Sequence, residues 1–156
     1  MFVRDFIEID RPFEAVAPRL VRDAGWLDPI ALAALEEAVA TMRVLHPYQP
    51  IQLDVPPMTV RCTRGPVRLR ADTLVMPLRW DTNLPASLLP DVDGDLEVVP
   101  LGADRSQLTL NANTFASSRD RDATRRVVET GLRSFLRGLA ASLDQAAGAA
   151  NRCGQR

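Results

Sequence analysis

Hydrophobic positions in the first third of the chain predict one strand and two helices. The segment Phe2 to Ile9 is rich in Phe, Val and Ile, as strands are. Two segments follow in which hydrophobic residues recur every three or four positions, as on one face of a helix. The first helix is expected to end at about Arg22, and the second must end before Pro47. An aspartate precedes a proline at each helix start, so Asp10 and Asp28 are the expected N-caps.

From Met58 to Asn113 the period of the hydrophobic positions changes to two, which is typical of half-buried antiparallel strands. The cleanest apolar face consists of alternate residues from Leu74 to Trp80, and it places Arg79 on the opposite, solvent-facing side. Two sequences containing glycine, Asp93 to Asp95 and Gly102 to Asp104, are expected turns. The whole segment is therefore predicted to be a meander of antiparallel strands.

Two segments in or beside this meander have weaker patterns. Residues 46–57 hold four prolines, so they are predicted to be a loop, with at most a short edge strand from Ile51 to Val55. Val67 to Ala71 alternates apolar residues with arginines, and it is predicted to be a strand with Leu69 on its apolar, half-buried face.

The clearest pattern lies near the end of the chain and predicts a long helix. Ser117 and Asp120 have the spacing of a capping box at a helix N-terminus. Hydrophobic residues then follow spacings of three and four over several turns, at Val128, Leu132, Phe135, Leu136, Leu139 and Leu143. No linker separates two domains, so we expect one domain over residues 1–147 and a flexible tail over residues 148–156.

The composition is that of an ordinary globular protein, and it argues against two kinds of partner. The hydrophobic fraction is 46% and the charged fraction 25%, so a chain of 156 residues can bury one core. The formal net charge of -1 gives no bulk attraction to nucleic acid or to an anionic membrane, and the few aromatic residues are not interleaved with arginines. All 19 basic residues are arginine, which excludes a Schiff-base lysine mechanism.

Residues that commonly hold metals or form disulfides are few and scattered. Cys62 and Cys153 lie in a predicted strand and in the C-terminal tail, so we expect no disulfide, and His46 is the single histidine. The aspartates between Asp91 and Asp95 alternate as in a calcium loop, but the twelfth position, which requires glutamate, is Gly102. We therefore expect no metal and no cofactor. The N-terminus lacks a signal-peptide core and no apolar run reaches membrane-spanning length, so we expect a cytoplasmic protein.

Several stretches of the sequence resemble the START/Bet v 1-like superfamily, also called SRPBCC or polyketide cyclase-like. Val3 to Phe13 looks like the opening strand and helix start of that superfamily, and Val75 to Trp80 looks like the central strand of an actinobacterial subgroup. Leu89 to Leu96 with Leu101 to Leu110 looks like the last hairpin, and Arg133 to Leu136 looks like the closing helix. The resemblance covers nearly the whole chain.

The resemblance implies an α+β helix-grip fold, in which a twisted antiparallel sheet wraps a long C-terminal helix and two short helices follow the first strand. It also implies a cavity for an apolar ligand between the sheet and that helix. The expected lining, which is also the predicted core, is Leu78, Trp80, Leu96, Val98, Leu108, Leu110, Leu132, Phe135, Leu136 and Leu139. No catalytic residue is shared across the superfamily, so none is carried over to this chain. The proline-rich residues 46–57 depart from the superfamily's regular second strand.

Three functions stay open at this point. The first is a non-catalytic module that binds a small hydrophobic ligand (a lipid, polyketide or aromatic compound), which needs a void of about 300 Å³ or more. The second is an enzyme of the polyketide cyclase or aromatase type, which predicts that His46, Tyr48 and Arg79 point into that void. The third is an interaction protein, including a homodimer, which predicts a large exposed apolar or arginine-rich surface.

Overall fold

The computed structural model describes residues 1–22, 25–45, 57–84, 91–114 and 121–153, and side chains of the last helix as far as Gln145. The helices and strands, numbered in chain order, are β1 (Phe2–Ile9), α1 (Phe13–Val21), α2 (Leu27–Leu45), β2 (Val60–Arg64), β3 (Arg68–Arg70), β4 (Thr73–Thr82), β5 (Val92–Pro100), β6 (Ser106–Thr114) and α3 (Arg121–Cys153). The predicted capping box at Ser117 and Asp120 and the edge strand at Ile51 to Val55 lie outside the described residues.

The strands form one antiparallel sheet in the order β1-β6-β5-β4-β2, and the short β3 pairs with β4 on the same side as β2. β1 and β6 pair over their whole length, from Phe2 opposite Asn113 to Ile9 opposite Ser106. This pairing brings the first strand beside the last one, which leaves β1 at one edge of the sheet. The predicted α+β helix-grip architecture is confirmed, with α3 against one face of the sheet.

Alternation along the strands explains where the core lies. In β4, Leu74, Met76, Leu78 and Trp80 are buried and the residues between them are not. The same alternation in β5 and β6 gives the sheet an apolar inner face, because successive side chains point to opposite sides of a strand. The hydrophobic positions of α3 that follow helical spacing are buried against this face. In β4, β5, β6 and α3, the spacing predicted from the sequence is therefore the spacing of the buried residues.

One predicted turn is wrong. Asp93 to Asp95 lies inside β5, whereas the turn at Gly102 is present, with φ +86 at this glycine. Gly94 lies on the inner face opposite Leu78 and Ala112, and a Cβ atom placed there is 2.4 Å from the carbonyl oxygen of Asn111. Glycine at position 94 therefore permits a close approach of two strands instead of a reversal of the chain.

Three smaller expectations are also corrected. The N-cap of α1 is Pro12 and makes no side-chain cap hydrogen bond, and Asp28 lies within the first turn of α2. Leu69 is 67% exposed, because β3 is a three-residue edge strand whose residues are all exposed. α2 has 19 residues and is longer than the short helix that the resemblance implied, since its apolar face continues from Leu27 to Met42. α3 continues to Cys153, and the division into a domain over residues 1–147 and a tail over residues 148–156 stays a prediction.

Candidate ligand-binding site

The structure brings the residues predicted to line a cavity together in one interior. Those from β4, β5 and β6 lie on the inner face of the sheet, those from α3 face them, and each is buried in the main hydrophobic cluster. Trp80 and Phe135 are in contact across this interface, with ring centroids 4.8 Å apart and ring planes inclined by 58°. Such tilted aromatic pairs contribute attraction beyond the area they bury. Their role in lining a ligand site remains a prediction.

The space left inside this interior is small. A cavity of about 10 Å³ lies at the end of the core where α2, α3, β4 and β5 meet. We call it the interior void, and its lining is Ala34, Leu35, Ala38, Trp80, Val92, Val127, Val128, Gly131 and Leu132. A void of this size holds at most one water molecule, far less than the roughly 300 Å³ of a small-molecule site. In this conformation the core is filled.

The close approach of α2 and α3 keeps the void small. A Cβ atom at Gly131 would lie 3.3 Å from the Cβ atom of Ala38, and one at Gly138 would lie 2.8 Å from Cγ2 of Ile30. Alanines at positions 31, 34 and 38 form the buried side of α2, so small side chains occupy both helices at their contact. Short side chains let helix backbones approach closely, and they leave little volume between them.

The interior void also marks a division within the core. A second hydrophobic cluster, formed by Leu35, Ala38, Val39, Met42, Leu84 and Val127, lies beside the main one. The void is lined by members of both clusters, including Leu35 and Val127 from the second and Trp80 and Val128 from the first. Every lining side chain is apolar, so no hydrogen bond between side chains holds the two clusters together at this place.

Only Trp80 and Leu132 of the void's lining were predicted from the sequence. The contribution of α2 was missed, because alanine is frequent on every kind of helix and carries no sign of a site. The one available signal was the presence of Gly131 and Gly138 on a predicted buried helix. Glycine inside a helix lowers stability relative to alanine, so two glycines there indicate that another segment approaches the helix closely.

A cysteine lies next to Trp80 in the edge strand β2, and an aspartate of α2 is hydrogen-bonded to its backbone. Cys62 is directly opposite Trp80 in the β2–β4 pairing, and its backbone N–H donates a hydrogen bond to Oδ1 of Asp28 at 2.8 Å. The pKa of the Cys62 thiol is raised from 9.0 to about 12, mainly by burial and secondly by the nearby charge of Asp28, while a hydrogen bond with the Trp80 side chain partly opposes both effects. The thiol is therefore protonated at neutral pH, and it is neither a nucleophile nor a metal ligand there.

Arg79 is on the outer face of the sheet, as predicted, and not beside the void. Its Nε donates a hydrogen bond to Oδ1 of Asp81 at 2.8 Å, and Asp91 and Asp93 lie within 4.0 Å of the guanidinium. The hydrogen bond and charge of Asp81, with smaller effects of Asp93 and Asp91, raise the pKa of Arg79. Arg79 thus supplies no polar group to the interior, and the other two residues of the cyclase hypothesis, at positions 46 and 48, lie outside the described residues.

Trp26 packs against the core from outside rather than lining the void. It is half-buried beside the main cluster, and the guanidinium carbon of Arg19 lies 5.4 Å from the centroid of its ring. An open surface groove of about 540 Å³ runs past Trp26 and Ile30 towards Gly138 on α3. This groove is on the solvent side of the helix pair, so it does not connect Trp26 with the interior void.

Metal binding and membrane spanning find no support among the residues that the structure describes. Within them, no group of three or more His, Cys, Asp or Glu side chains is arranged to hold a metal ion. The described helices include none that is both long enough and apolar enough to cross a membrane.

Comparison with known proteins identifies the fold and not the chemistry. No protein-family model and no curated protein matches the sequence. A conserved protein from Geobacillus kaustophilus has a similar structure, with a TM-score of 0.57, 11% identity, and coverage of 94% of this chain and 97% of that one. A START superfamily protein from Mycobacterium smegmatis has a TM-score of 0.52 and 12% identity over 93% of this chain and 98% of that one. The chain therefore has the START/Bet v 1-like helix-grip fold that the sequence resemblance implied.

Proposed function

We propose that this chain is a non-catalytic module that binds a small hydrophobic ligand at the interior void, between α2, α3 and the inner face of the sheet. The observation that carries the proposal is the place of the void, where two hydrophobic clusters meet without a polar contact. Separation of α2 from α3 enlarges this space and exposes only apolar side chains to the ligand, including the ring of Trp80. The ligand is a lipid, polyketide or aromatic compound.

The outer contacts of the helix pair are compatible with such an opening. Arg137 and Glu37 connect α3 to α2 with a distance of 3.2 Å, but both side chains are about half exposed. An exposed ion pair of this kind contributes little stability. The ligand replaces apolar contacts between the helices with apolar contacts to itself, and the lining of the interior void has no hydrogen bond between α2 and α3 to lose.

Two ion pairs between the N-terminal part of the chain and α3 support one domain over residues 1–147 as part of this proposal. Arg133 on α3 pairs with Asp5 on β1 at 3.0 Å, and Arg11 near the N-terminus pairs with Asp144 on α3 at 3.1 Å. Opposite ends of the chain are thus joined by side chains as well as by the sheet. The cyclase or aromatase alternative receives no comparable support, because Arg79 points away from the interior.

The proposal is tested with a neutral fluorescent probe, N-phenyl-1-naphthylamine, and the emission of Trp80. Trp26→Phe leaves Trp80 as the single tryptophan, so energy transfer from Trp80 reports probe bound near the void. Val128→Leu adds one methylene group to the lining, and we expect it to weaken probe binding about tenfold or more, since even one extra methylene is felt in a close-packed interior. Val44→Leu is the matched control, because Val44 is 77% exposed.

Two results oppose the proposal. One is binding without energy transfer from Trp80, which places the probe elsewhere. The other is equal weakening by Val128→Leu and Val44→Leu. Native mass spectrometry of the purified protein then identifies the natural ligand class, since a bound small molecule adds a discrete mass that disappears on denaturation.

A further inference from the structure

The first half of α2 is apolar on two faces. One face packs into the core. On the other face Ile30 is half-buried and Ala33 is exposed, and between residues 26 and 35 the only charged side chain is Asp28. A helix that is apolar all round is ordinarily covered on every side. The outer face of α2 therefore indicates a contact that the described part of the chain does not supply.

The surface groove of about 540 Å³ lies along this outer face. Its α2 side consists of four apolar residues, namely Trp26, Pro29, Ile30 and Ala33. The guanidinium carbon of Arg19 lies over the ring of Trp26, 5.4 Å from its centroid, and this attraction favours one orientation of the ring. The groove thus has one aromatic ring held in place beside small aliphatic side chains.

The α3 side of the groove is built from small residues. Ser134, Gly138 and Ser142 are spaced by four positions, so they share one face of the helix. From Ser134 to Ser142 the helix advances by about 12 Å. This length accommodates a small molecule, whereas a partner protein ordinarily needs about 800 Å² of surface on each side. The volume of the groove is also within the usual range of small-molecule sites.

The charge at the groove is positive. Arg137 is the one charged side chain among the described residues that line it. Nη2 of Arg137 donates a hydrogen bond to Oε1 of Glu37 at 3.2 Å, and the guanidinium donates no other hydrogen bond to a described residue. A guanidinium has five N–H donors, so those that remain can bind a second carboxylate in the bidentate geometry that arginine favours.

We propose that this groove binds a small aromatic carboxylate, with its ring against Trp26 and Ile30 and its carboxylate at Arg137. Aromatic rings in contact attract each other beyond the area they bury, which favours an aromatic body over an acyl chain. The arginine supplies the charge that an anion requires. The groove is separate from the interior void, so this site does not depend on the ligand proposed there.

Nuclear magnetic resonance with 2-naphthoate tests the site. The chain has two tryptophans, so a ¹H–¹⁵N spectrum contains two indole N–H signals, and Trp26→Phe assigns them. We expect 2-naphthoate to shift the signal of Trp26 and not that of Trp80, with a dissociation constant of roughly 0.1 to 1 mM. The neutral amide, 2-naphthamide, has the same ring system and is expected to bind about fivefold more weakly or worse.

Substitutions at the rim and floor of the groove separate charge from shape. Arg137→Gln should raise the dissociation constant of 2-naphthoate about fivefold or more and remove its advantage over the amide. Glu37→Gln should lower it, because a competing negative charge is lost. Ala33→Glu places a carboxylate in the groove and should abolish binding of 2-naphthoate. The matched controls are Arg126→Gln and Ala40→Glu, which change exposed residues of the same two helices outside the groove.

Three outcomes overturn the inference. One is an unchanged Trp26 signal up to about 10 mM 2-naphthoate. Another is equal binding of the acid and the amide by the wild type, which shows that the groove does not select an anion. The third is a shift of the Trp80 signal alone, which supports the proposed interior ligand site while contradicting this one. Thermal unfolding of each variant checks folding, and we expect unchanged melting because the substituted side chains are exposed.

Discussion

The backbone N–H of Cys62 donates a hydrogen bond to the carboxylate of Asp28, with 2.8 Å between nitrogen and oxygen. Asp28 lies in the first turn of α2 and Cys62 in β2, so this bond connects the start of a helix to an edge strand. A carboxylate in the first helical turn also interacts favourably with the helix dipole. The aspartate that the sequence indicated as a helix cap therefore holds α2 against the sheet.

Asp28→Ala tests this connection. We expect the free energy of unfolding to fall by about 1.5 to 3 kcal/mol, because a partly buried N–H loses a charged acceptor. Asp28→Asn keeps an acceptor oxygen and is expected to lose less. Urea unfolding measures both, with Asp72→Ala at an exposed turn as the control. If Asp28→Ala costs no more than Asp72→Ala, the bond does not contribute to stability.

The pKa of Cys62 makes stability depend on alkaline pH. Since the folded state raises this pKa from 9.0 to about 12, both states keep the proton below pH 9 and the thiol contributes no pH dependence there. Between these values the unfolded chain loses the proton and the folded one keeps it, so stability falls by about 1.4 kcal/mol per pH unit. Urea unfolding from pH 8 to 11 should show this decline of stability in the wild type. In Cys62→Ala the decline should be smaller, because the contribution of the thiol is absent. Equal slopes in both proteins would contradict the assignment.

Gly94→Ala should be among the most damaging small substitutions on the sheet. The new Cβ atom would lie 2.4 Å from the backbone oxygen of Asn111, and backbone cannot move aside as a flexible side chain does. We expect a loss of about 1 to 3 kcal/mol or more, measured as a lower melting temperature. Asp95→Ala, at the exposed next position of β5, should change stability by at most about 0.5 kcal/mol. A Gly94→Ala protein as stable as Asp95→Ala would show that β5 and β6 are further apart.

Local periodicity predicted the elements whose burial it determines. β1 begins and ends at the predicted residues, Phe2 and Ile9, and the buried residues of α3 follow the predicted spacing. It failed where contacts between distant segments decide the conformation. An Asp-Gly sequence ordinarily favours a turn, yet Gly94 is in a strand because it lies between β4 and β6.

The candidate site was only partly predictable for the same reason. Leu132 and Trp80 lie on regular apolar faces, so their burial follows from the sequence alone. The involvement of α2 depends on how closely it approaches α3, which is set by Ala38 against Gly131. No spacing within either helix specifies that pair, since the two residues are far apart in the chain and meet only after folding.

The edge strand β1 has a device that limits pairing with other chains. The N–H of Phe6 points away from β6 and donates a hydrogen bond to Oδ1 of Asp5 at 2.9 Å, and the other oxygen of Asp5 accepts a hydrogen bond from Arg133 at 3.0 Å. Phe2 and Phe6 are 55% and 59% exposed beside this edge. An exposed apolar edge with free N–H groups is a template for association with other chains. The carboxylate of Asp5 accepts a hydrogen bond from one of these N–H groups, so that group is not free to pair with another chain.

Asp5→Ala is therefore expected to increase aggregation on heating, because it frees the Phe6 N–H next to two exposed aromatic rings. Light scattering during a thermal ramp measures the onset temperature, which should fall. Arg133→Ala is the matched control, since it removes the same ion pair but leaves the carboxylate on the Phe6 N–H. If the two variants aggregate at the same temperature, the effect comes from the lost ion pair. If only Asp5→Ala aggregates earlier, its carboxylate protects the edge of the sheet directly.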